Sequence, residues 1–462
     1  MQFDHLTYYL RTFGCQMNQH DSERIAGMLD ALGASPAENL EQANIIIFMT
    51  CCVREAADVR LLGQVASLKG QLSSDAALRV IAVGGCLAQR DGEKLGEQLP
   101  HVDVVFGTHN IASLPSLLAA SLQNSGQQIE VLEQQQAQDL GLLSTTTLPV
   151  RREQSWHAWL SIMTGCNNYC SYCIVPYVRG RELSRRFEDI EREVETLLDE
   201  GVVEITMLGQ NVNSYGREIY GEPRFAELLR RIGNSGIQRL RFVTSHPKDL
   251  SDETIAAFAE TRAVMPQLQL PVQSGSNRIL AAMNRNYTAE HYLELVAKLR
   301  TATAAAGKGD ATYQGSVALS TDIIVGFPGE TEADFLATCD LVREVGYAQA
   351  FTFIYSKRAG TPAADMPDDT PPEVIQERFA RLVKIVQDVA WQQNQPSLGQ
   401  VEEVLFEGSS KRDPQMLSGR SEKNTTVHAA LPQGEALKSY VGRILPVKID
   451  TARTWYLKGE LQ

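Results

Sequence analysis

Three cysteines within eight residues, Cys166-Asn167-Asn168-Tyr169-Cys170-Ser171-Tyr172-Cys173, have the spacing in this chain that most directly implies chemistry. Thiolates so close can hold three irons of a four-iron cube from one loop, and no fourth cysteine follows nearby, so one iron would stay open to a small ligand. Structural zinc takes four ligands in paired groups, and the partner pair is missing here. The spacing therefore favours an iron–sulfur cluster over zinc or unligated thiols.

Cys15, Cys51 and Cys86 form a second set. Each follows or ends an apolar run: Arg11-Thr12-Phe13-Gly14-Cys15, Met49-Thr50-Cys51 and Gly84-Gly85-Cys86. If those runs are neighbouring parallel strands, their C-terminal ends share one edge and the thiols converge. The spacing is equally compatible with three separate buried thiols. Cys52 stands beside Cys51 as an alternative ligand, and Cys339, inside a predicted helix 333–345, reads as packing.

The elements that must position these residues fall into regions. Residues 5–124 alternate strands (44–49 and 79–83 among them) with Ala/Leu/Glu-rich helices. Their continuous apolar runs predict parallel strands covered on both faces. Residues 125–150 are Gln-rich and without period, as a linker is. Residues 151–394 resume the alternation, with strands at 157–163, 203–208, 240–243, 268–271, 318–325 and 350–354 and an amphipathic helix at 190–200. This pattern predicts a partial (β/α) barrel with its site at the C-terminal strand ends. Residues 395–462 place strands at 401–406 and 443–449 among Gly, Ser and Asn turns, which predicts a small antiparallel β-barrel. The fold class is thus α/β, with a parallel N-terminal domain, a central partial barrel and a C-terminal barrel.

The composition, 43% hydrophobic and 21% charged, is that of an ordinary globular chain, and at 462 residues it needs several cores. No apolar stretch is long enough to span a membrane and no secretion signal opens the chain, so the expected location is the cytoplasm, where thiols stay reduced. A net charge of -13 excludes an indiscriminate nucleic-acid surface and leaves room for a local basic patch.

The stretches GCNNYCSYCIVPYVRGRE (165–182), LGQNVNSYG (208–216), RFVTSHPKDL (241–250), LQLPVQSGSNRIL (268–280) and TDIIVGFPGETEADF (321–335) together resemble the radical S-adenosylmethionine (SAM) methylthiotransferases. The resemblance runs from Thr12 to Arg420 and is nearest the branch acting on dimethylallyladenosine in tRNA, to which Ser245-His246-Pro247 points. It implies two [4Fe–4S] clusters, one radical-generating on Cys166, Cys170 and Cys173 and one auxiliary on Cys15, Cys51 and Cys86. The latter choice sets Cys51 over Cys52. It further implies SAM contacts at Tyr172, at Gly209, Gln210 and Asn211, and at Val325 and Gly326. Read without the resemblance, those last two groups are strands followed by glycine turns.

The implied reaction attaches a methylthio group to C2 of dimethylallyladenosine at position 37 of the anticodon loop, using two SAM molecules. That C–H bond is neither acidic nor attached to a leaving group, so radical chemistry is required. Implied partners are tRNA, a small electron-donor protein and a sulfur donor the sequence does not name, with the enzyme acting as a monomer. Arg179, Arg181, Arg185 and Arg186 are candidates for phosphate contact, or equally a solvated charged face. The tail carries 9 Lys+Arg against 8 Asp+Glu and resembles a TRAM domain.

Two departures from the family stand out: 303–316 reads as an inserted surface loop, and Met49 occupies a place where relatives usually have Asn. Alternatives within the class are threonylcarbamoyladenosine or a ribosomal protein as substrate. Outside it stands a non-catalytic Fe–S or zinc RNA-binding protein, against which the LGQN and GFPGE stretches argue.

Overall fold

Ile45-Ile46-Ile47-Phe48-Met49 is buried along its whole length because both faces of its strand are covered. Ile45, Ile47 and Met49 pack on one face with Leu29, Phe106 and Leu118, while Ile46 and Phe48 pack on the other with Leu61, Ile81 and Val105. The computed structural model describes residues 3–52, 55–68, 80–123, 126–143, 148–308 and 317–462, with 55–60 as backbone only.

The chain divides into two compact units. The first comprises residues 1–153, 164–169 and 173–183, and the second 154–163, 170–172 and 184–462. The first unit is built on a six-stranded sheet: β1 (Thr7–Thr12), β2 (Ser35–Pro36), β3 (Ile45–Thr50), β4 (Val80–Gly85), β5 (Val104–Phe106) and β6 (Gln128–Glu130). All pairings are parallel and the order is β2-β1-β3-β4-β5-β6. The chain leaves β1 in one direction to form β2 and returns on its other side to form β3, so β1 and β3 flank a topological switch point, where open α/β sheets carry their sites.

The expected linker is corrected here. Residues 128–130 are the edge strand β6, and Gln134–Asp139 form a helix closed by a Glu133/Gln136 capping box. An edge strand needs apolar residues on only one face. Ile129 alone packs inward, which leaves a polar-looking sequence without period.

Short strands β8 (Met163–Thr164) and β9 (Leu183–Ser184) flank the cysteine loop in sequence. The second unit arranges β7 (His157–Ser161), β10 (Glu204–Leu208), β11 (Arg239–Phe242), β12 (Gln267–Gln269), β13 (Ala318–Val325) and β14 (Gln349–Ile354) as parallel strands alternating with helices. They form two three-stranded sheets, β11-β10-β7 and β12-β13-β14, joined where Leu240 bridges to Val264: an open barrel. The expected insertion begins inside the helix Ala289–Ala305, where Thr303 is fully buried; residues 309–316 of it lie outside the described residues.

Strands β15 (Val401–Ser409), β16 (Met416–Ser421), β17 (Thr426–Ala430), β18 (Ile444–Ala452) and β19 (Tyr456–Leu461) close a small barrel. It is antiparallel as expected except for the β17–β19 pair, which is parallel. Its core is Val404, Phe406, Leu417, Val427, Val447, Ile449 and Leu457. Two buried arginines fasten it to the open barrel. Arg239 donates to the carbonyls of Glu403 (2.7 Å) and Arg420 (2.9 Å), and Arg241 to those of Ser421 and Glu422 (2.9 Å each) while pairing with Glu204 at 2.9 Å. Burial draws the Arg239 guanidinium down to about 10, with the nearby Arg241 charge adding to it, so it stays charged at neutral pH.

Candidate functional site

The first unit collects Cys15, Cys51 and Cys86 just beyond the C-terminal ends of β1, β3 and β4, three neighbours in the sheet. Cys15 is the N-cap of the helix Gln16–Ala31, and Cys86 opens the helix Cys86–Gln98. Helix N-termini favour anionic sulfur, the form that ligates iron. Gly14, at φ +116°, is needed for close approach: a Cβ there would lie 2.6 Å from Cys51 Cβ and 3.1 Å from its sulfur. Cys51, Cys52 and Cys86 are buried and Cys15 reaches solvent, and all eight cysteines are free of disulfides.

The same edge holds a polar network. Asn18 donates to the carbonyls of Phe13 and Thr50, each at 2.7 Å, joining the ends of β1 and β3. Thr50 donates to Gly84 O (2.6 Å) and accepts from Leu87 N, joining β3 to β4. Arg179 is buried and reaches Asn18 Oδ1 and Asp21 Oδ2, both at 2.9 Å. A hydrogen bond with Cys52 draws the Cys86 thiol down; burial opposes this, and the Arg179 charge reinforces it. Met49 points away into the apolar face, so the hydrogen bonding at this edge comes from Asn18 and Thr50.

In the cysteine loop, Cys166 N donates to Gly180 O (3.1 Å) and Asn167 N to Glu182 (3.2 Å), while the Gln134 side chain bonds both the N–H and the carbonyl of Arg181. In the second unit Ser171 is held by Met283 O, Ala282 O and Ala363 N. Cys170 Sγ lies 3.6 Å from Nη1 of Arg285, a buried cation whose other bonds go to Tyr287 Oη (2.8 Å) and Pro271 O (2.6 Å). Tyr172 packs on Ile279, Met283 and Phe327 together with Ile324 and Tyr355, so it shares one apolar patch with the end of β13.

The loops after β10 and β11 carry the second unit's open polar atoms. Asn211 Oδ1, Asn213 Nδ2, Ser245 Oγ and His246 Nε2 are buried and find no hydrogen-bond partner within the described protein. Their other atoms are fixed: Asn211 Nδ2 on Asp249 (2.8 Å), Asn213 Oδ1 on His246 N (2.9 Å), and His246 Nδ1 accepting from Lys248 N (3.2 Å). Burial, then the charges of Arg285 and Lys248, push His246 down to about 2, so it is neutral and its Nε2 carries the proton. Buried polar atoms left open in this way call for a partner from outside the protein, an ordered water or a ligand, and four of them on two neighbouring loops form a candidate cradle. Gly209 admits no Cβ, which would stand 2.7 Å from Met163 Cγ, and Gln210 is half-buried beside it.

Among the described residues no three His, Cys, Asp or Glu side chains gather closely enough to hold one metal ion. A cube takes each thiolate at a different iron, so its ligands stand wider apart than those of a single ion. The anion-stabilising helix ends and the buried arginine at each thiol set fit such a group.

Three family models match the chain: Radical SAM superfamily over residues 160–342, Uncharacterized protein family UPF0004 over 7–107, and TRAM domain over 397–462. The chain is 46% identical over 459 residues to the tRNA-2-methylthio-N(6)-dimethylallyladenosine synthase of Thermoanaerobacter pseudethanolicus, covering 99% of this chain and 93% of that one. The protein of that name from Acidothermus cellulolyticus is 49% identical, over 91% of this chain and 82% of its own length. The chain belongs to the tRNA-2-methylthio-N(6)-dimethylallyladenosine synthase family. Among solved structures its fold is similar to the radical S-adenosylmethionine methyltransferase TsrM from Kitasatospora setae, at TM-score 0.54 and 12% identity over 78% of this chain and 75% of that chain.

Within this synthase frame, two of the four candidate phosphate-binding arginines are corrected. Arg179 is buried on Asp21 and Asn18, and Arg185 is committed to Glu193 (2.8 Å) and Ser161 O (2.7 Å). Arg181 and Arg186 are exposed. Val325 is buried in the core, and the Gly326 amide is taken by the Glu330 carboxylate (2.9 Å), so the GFPGE turn fastens itself. Sequence reading missed Asn18, Asp21, Asn213, His246 and Arg285 as site residues. Asn213 and His246 lay within quoted motifs, and Arg285 lay just beyond one. A cavity of about 260 Å³ lies at the opposite strand ends, beside the small barrel, lined by Gln267, Ser320, Gln349, Arg420, Lys423 and Trp455. It contains none of the thiols. No helix among the described residues is long and apolar enough to cross a membrane.

Proposed function

We propose that this chain is a radical SAM tRNA methylthiotransferase that places a methylthio group on C2 of N6-(dimethylallyl)adenosine at position 37 of the anticodon loop. The observation that carries the reading is the presence, in one chain, of two distinct thiol sets, each with its own buried arginine. Cys166, Cys170 and Cys173 would hold the radical-generating [4Fe–4S] cluster, and Cys15, Cys51 and Cys86 the auxiliary one. When bound, these clusters and SAM supply one-electron cleavage chemistry, able to remove an unactivated hydrogen, together with sulfur.

The chain's own residues bind and orient. Tyr172 offers an apolar face beside Ile324 and Phe327 for an adenine ring. Asn213 Nδ2 and His246 Nε2 offer donors, Asn211 Oδ1 an acceptor, and Ser245 Oγ either. Gly209, Gln210, Val325 and Gly326 shape the strand ends around that cradle. Arg181, Arg186 and the small barrel would meet tRNA phosphates, the target base being splayed from its loop as single-stranded RNA allows. Two SAM molecules would supply the radical and the methyl group, and a small electron-donor protein of the cytoplasm would supply the reducing equivalents.

The test is an anaerobic assay of the reduced, reconstituted chain on tRNA bearing either dimethylallyladenosine or unmodified adenosine at position 37. The methylthio nucleoside and 5′-deoxyadenosine from the first tRNA only is the expected result. Product from a threonylcarbamoyladenosine tRNA, and none from the dimethylallyl one, would overturn the substrate assignment.

A further inference from the structure

Arg179 lies six residues beyond Cys173, yet every contact described for it is with the strand edge of the first unit. Arg179 is 6% exposed, its guanidinium meets Asp21 Oδ2 and Asn18 Oδ1, both at 2.9 Å, and, behind the hydrogen bond with Cys52, its charge draws the Cys86 thiol down. Asn18 in turn holds Phe13 O and Thr50 O, the carbonyls that lead into Cys15 and Cys51. Ile174 and Val178, from the same segment, pack on Cys52 and Cys86, and Thr108 Oγ1 fixes the Val178 carbonyl at 2.5 Å. One cation therefore bears on all three thiol-bearing strand ends, through Asn18 on two of them and through its charge on Cys86 at the third.

A buried arginine needs compensating charge, and Asp21 supplies part of it. A second anion drawn to the same guanidinium is then stabilised without exposing an uncompensated cation. Three thiolates on a four-iron, four-sulfide core leave a net negative charge that grows on reduction, and charge with hydrogen bonds to sulfur sets the potential of such clusters.

We propose that Arg179, held by Asp21 and Asn18, is the positioning and charge-compensating residue of the auxiliary cluster, and that it does not contact RNA. The proposal rests on the assignment of that cluster to Cys15, Cys51 and Cys86. Arg179 acts through the Cys86 sulfur and the strand ends, so it touches no reacting atom.

The test uses the full chain with Cys166, Cys170 and Cys173 all replaced by Ala, so that one cluster remains visible. Iron is counted and the midpoint potential is followed by electron paramagnetic resonance in the parent, R179K, R179Q and the double variant R179Q/D21N. In R179Q/D21N, where both charges leave together and folding is preserved best, reduction should become at least tenfold harder. That is a shift of about 59 mV to more negative potential for one electron. R179K should fall between it and the parent. A structural ion pair alone would leave the double variant's potential and iron at parental values, and that result overturns the proposal. Loss of the cluster from R179Q/D21N with an unchanged melting temperature supports it. A parent that binds no four-iron cluster would instead overturn the underlying assignment.

Discussion

The thiol edge of the first unit and the strand-end loops of the second are finished in opposite ways. At the edge the side chains are spent on the protein itself: Asn18 and Thr50 donate to strand-end carbonyls, and Arg179 donates to Asn18 and sets its charge against Asp21. At the loops after β10 and β11, four buried polar atoms stand open. A network tied to the strand ends suits a resident group that stays; open donors and acceptors suit ligands that arrive and leave each turnover. The arginines differ in the same sense. Arg179 carries a carboxylate partner, while the hydrogen bonds described for Arg285 go to neutral oxygens and to Cys170. Cys170 Sγ, 3.6 Å from Nη1, is thus the sulfur set against Arg285.

The largest effects should come from the thiols themselves. Replacing Cys166, Cys170 or Cys173 by Ala should abolish both 5′-deoxyadenosine and the methylthio product. Replacing Cys15, Cys51 or Cys86 should abolish only the product. Equal loss of both activities from the two sets would erase the contrast between them. C52S should retain the auxiliary iron, because the reading gives Cys52 no ligand role; chemical iron analysis decides.

Next is Arg285. R285Q removes the cation that donates to Cys170, and a hydrogen bond from a charged group is typically worth about 1.5–3 kcal/mol. Iron at the radical site should fall while the auxiliary iron is retained. Loss of both to the same extent would mean that Arg285 supports folding rather than that thiol.

A smaller effect is expected at the cradle. H246A removes one buried donor, worth about 1–3 kcal/mol, so product formation should drop roughly 5- to 150-fold with iron content unchanged. An unchanged rate would mean that the open atom of His246 meets no ligand.

The smallest effect is a pH dependence. Burial raises Glu330 to about 7, against partial relief from the Gly326 amide and then Arg378. The folded chain thus keeps a proton that the unfolded chain releases near the ordinary glutamate value, and stability should decline as pH rises from about 4.5 to 7. The decline should be no more than about 3 kcal/mol, and E330Q should flatten it in chemical denaturation across that range.

Most of the architecture was legible because the signals were local. Three isoleucines in a row can be buried only between two covered faces, and Cys166, Cys170 and Cys173 announce themselves by spacing alone. The convergence of Cys15, Cys51 and Cys86 needed strand order, which periodicity does not contain. β6 was unreadable because an edge strand needs one inward residue, Ile129, among polar neighbours. Arg179 was misread for the opposite reason. A basic residue after a cysteine loop looks like surface, and its burial depends on Asp21, more than 150 residues upstream in sequence. His246 and Asn213 were visible as motif letters, but only the fixing of their other atoms shows which ones remain open.

The central claim is that one chain holds two separate four-iron clusters with separate roles. Iron and sulfide should be counted anaerobically in the parent, in the triple variant C166A/C170A/C173A and in C15A/C51A/C86A. The account predicts about eight irons per chain in the parent and about four in each variant, as one four-iron cluster per thiol set requires. About four irons in the parent, or zinc in their place, would contradict it.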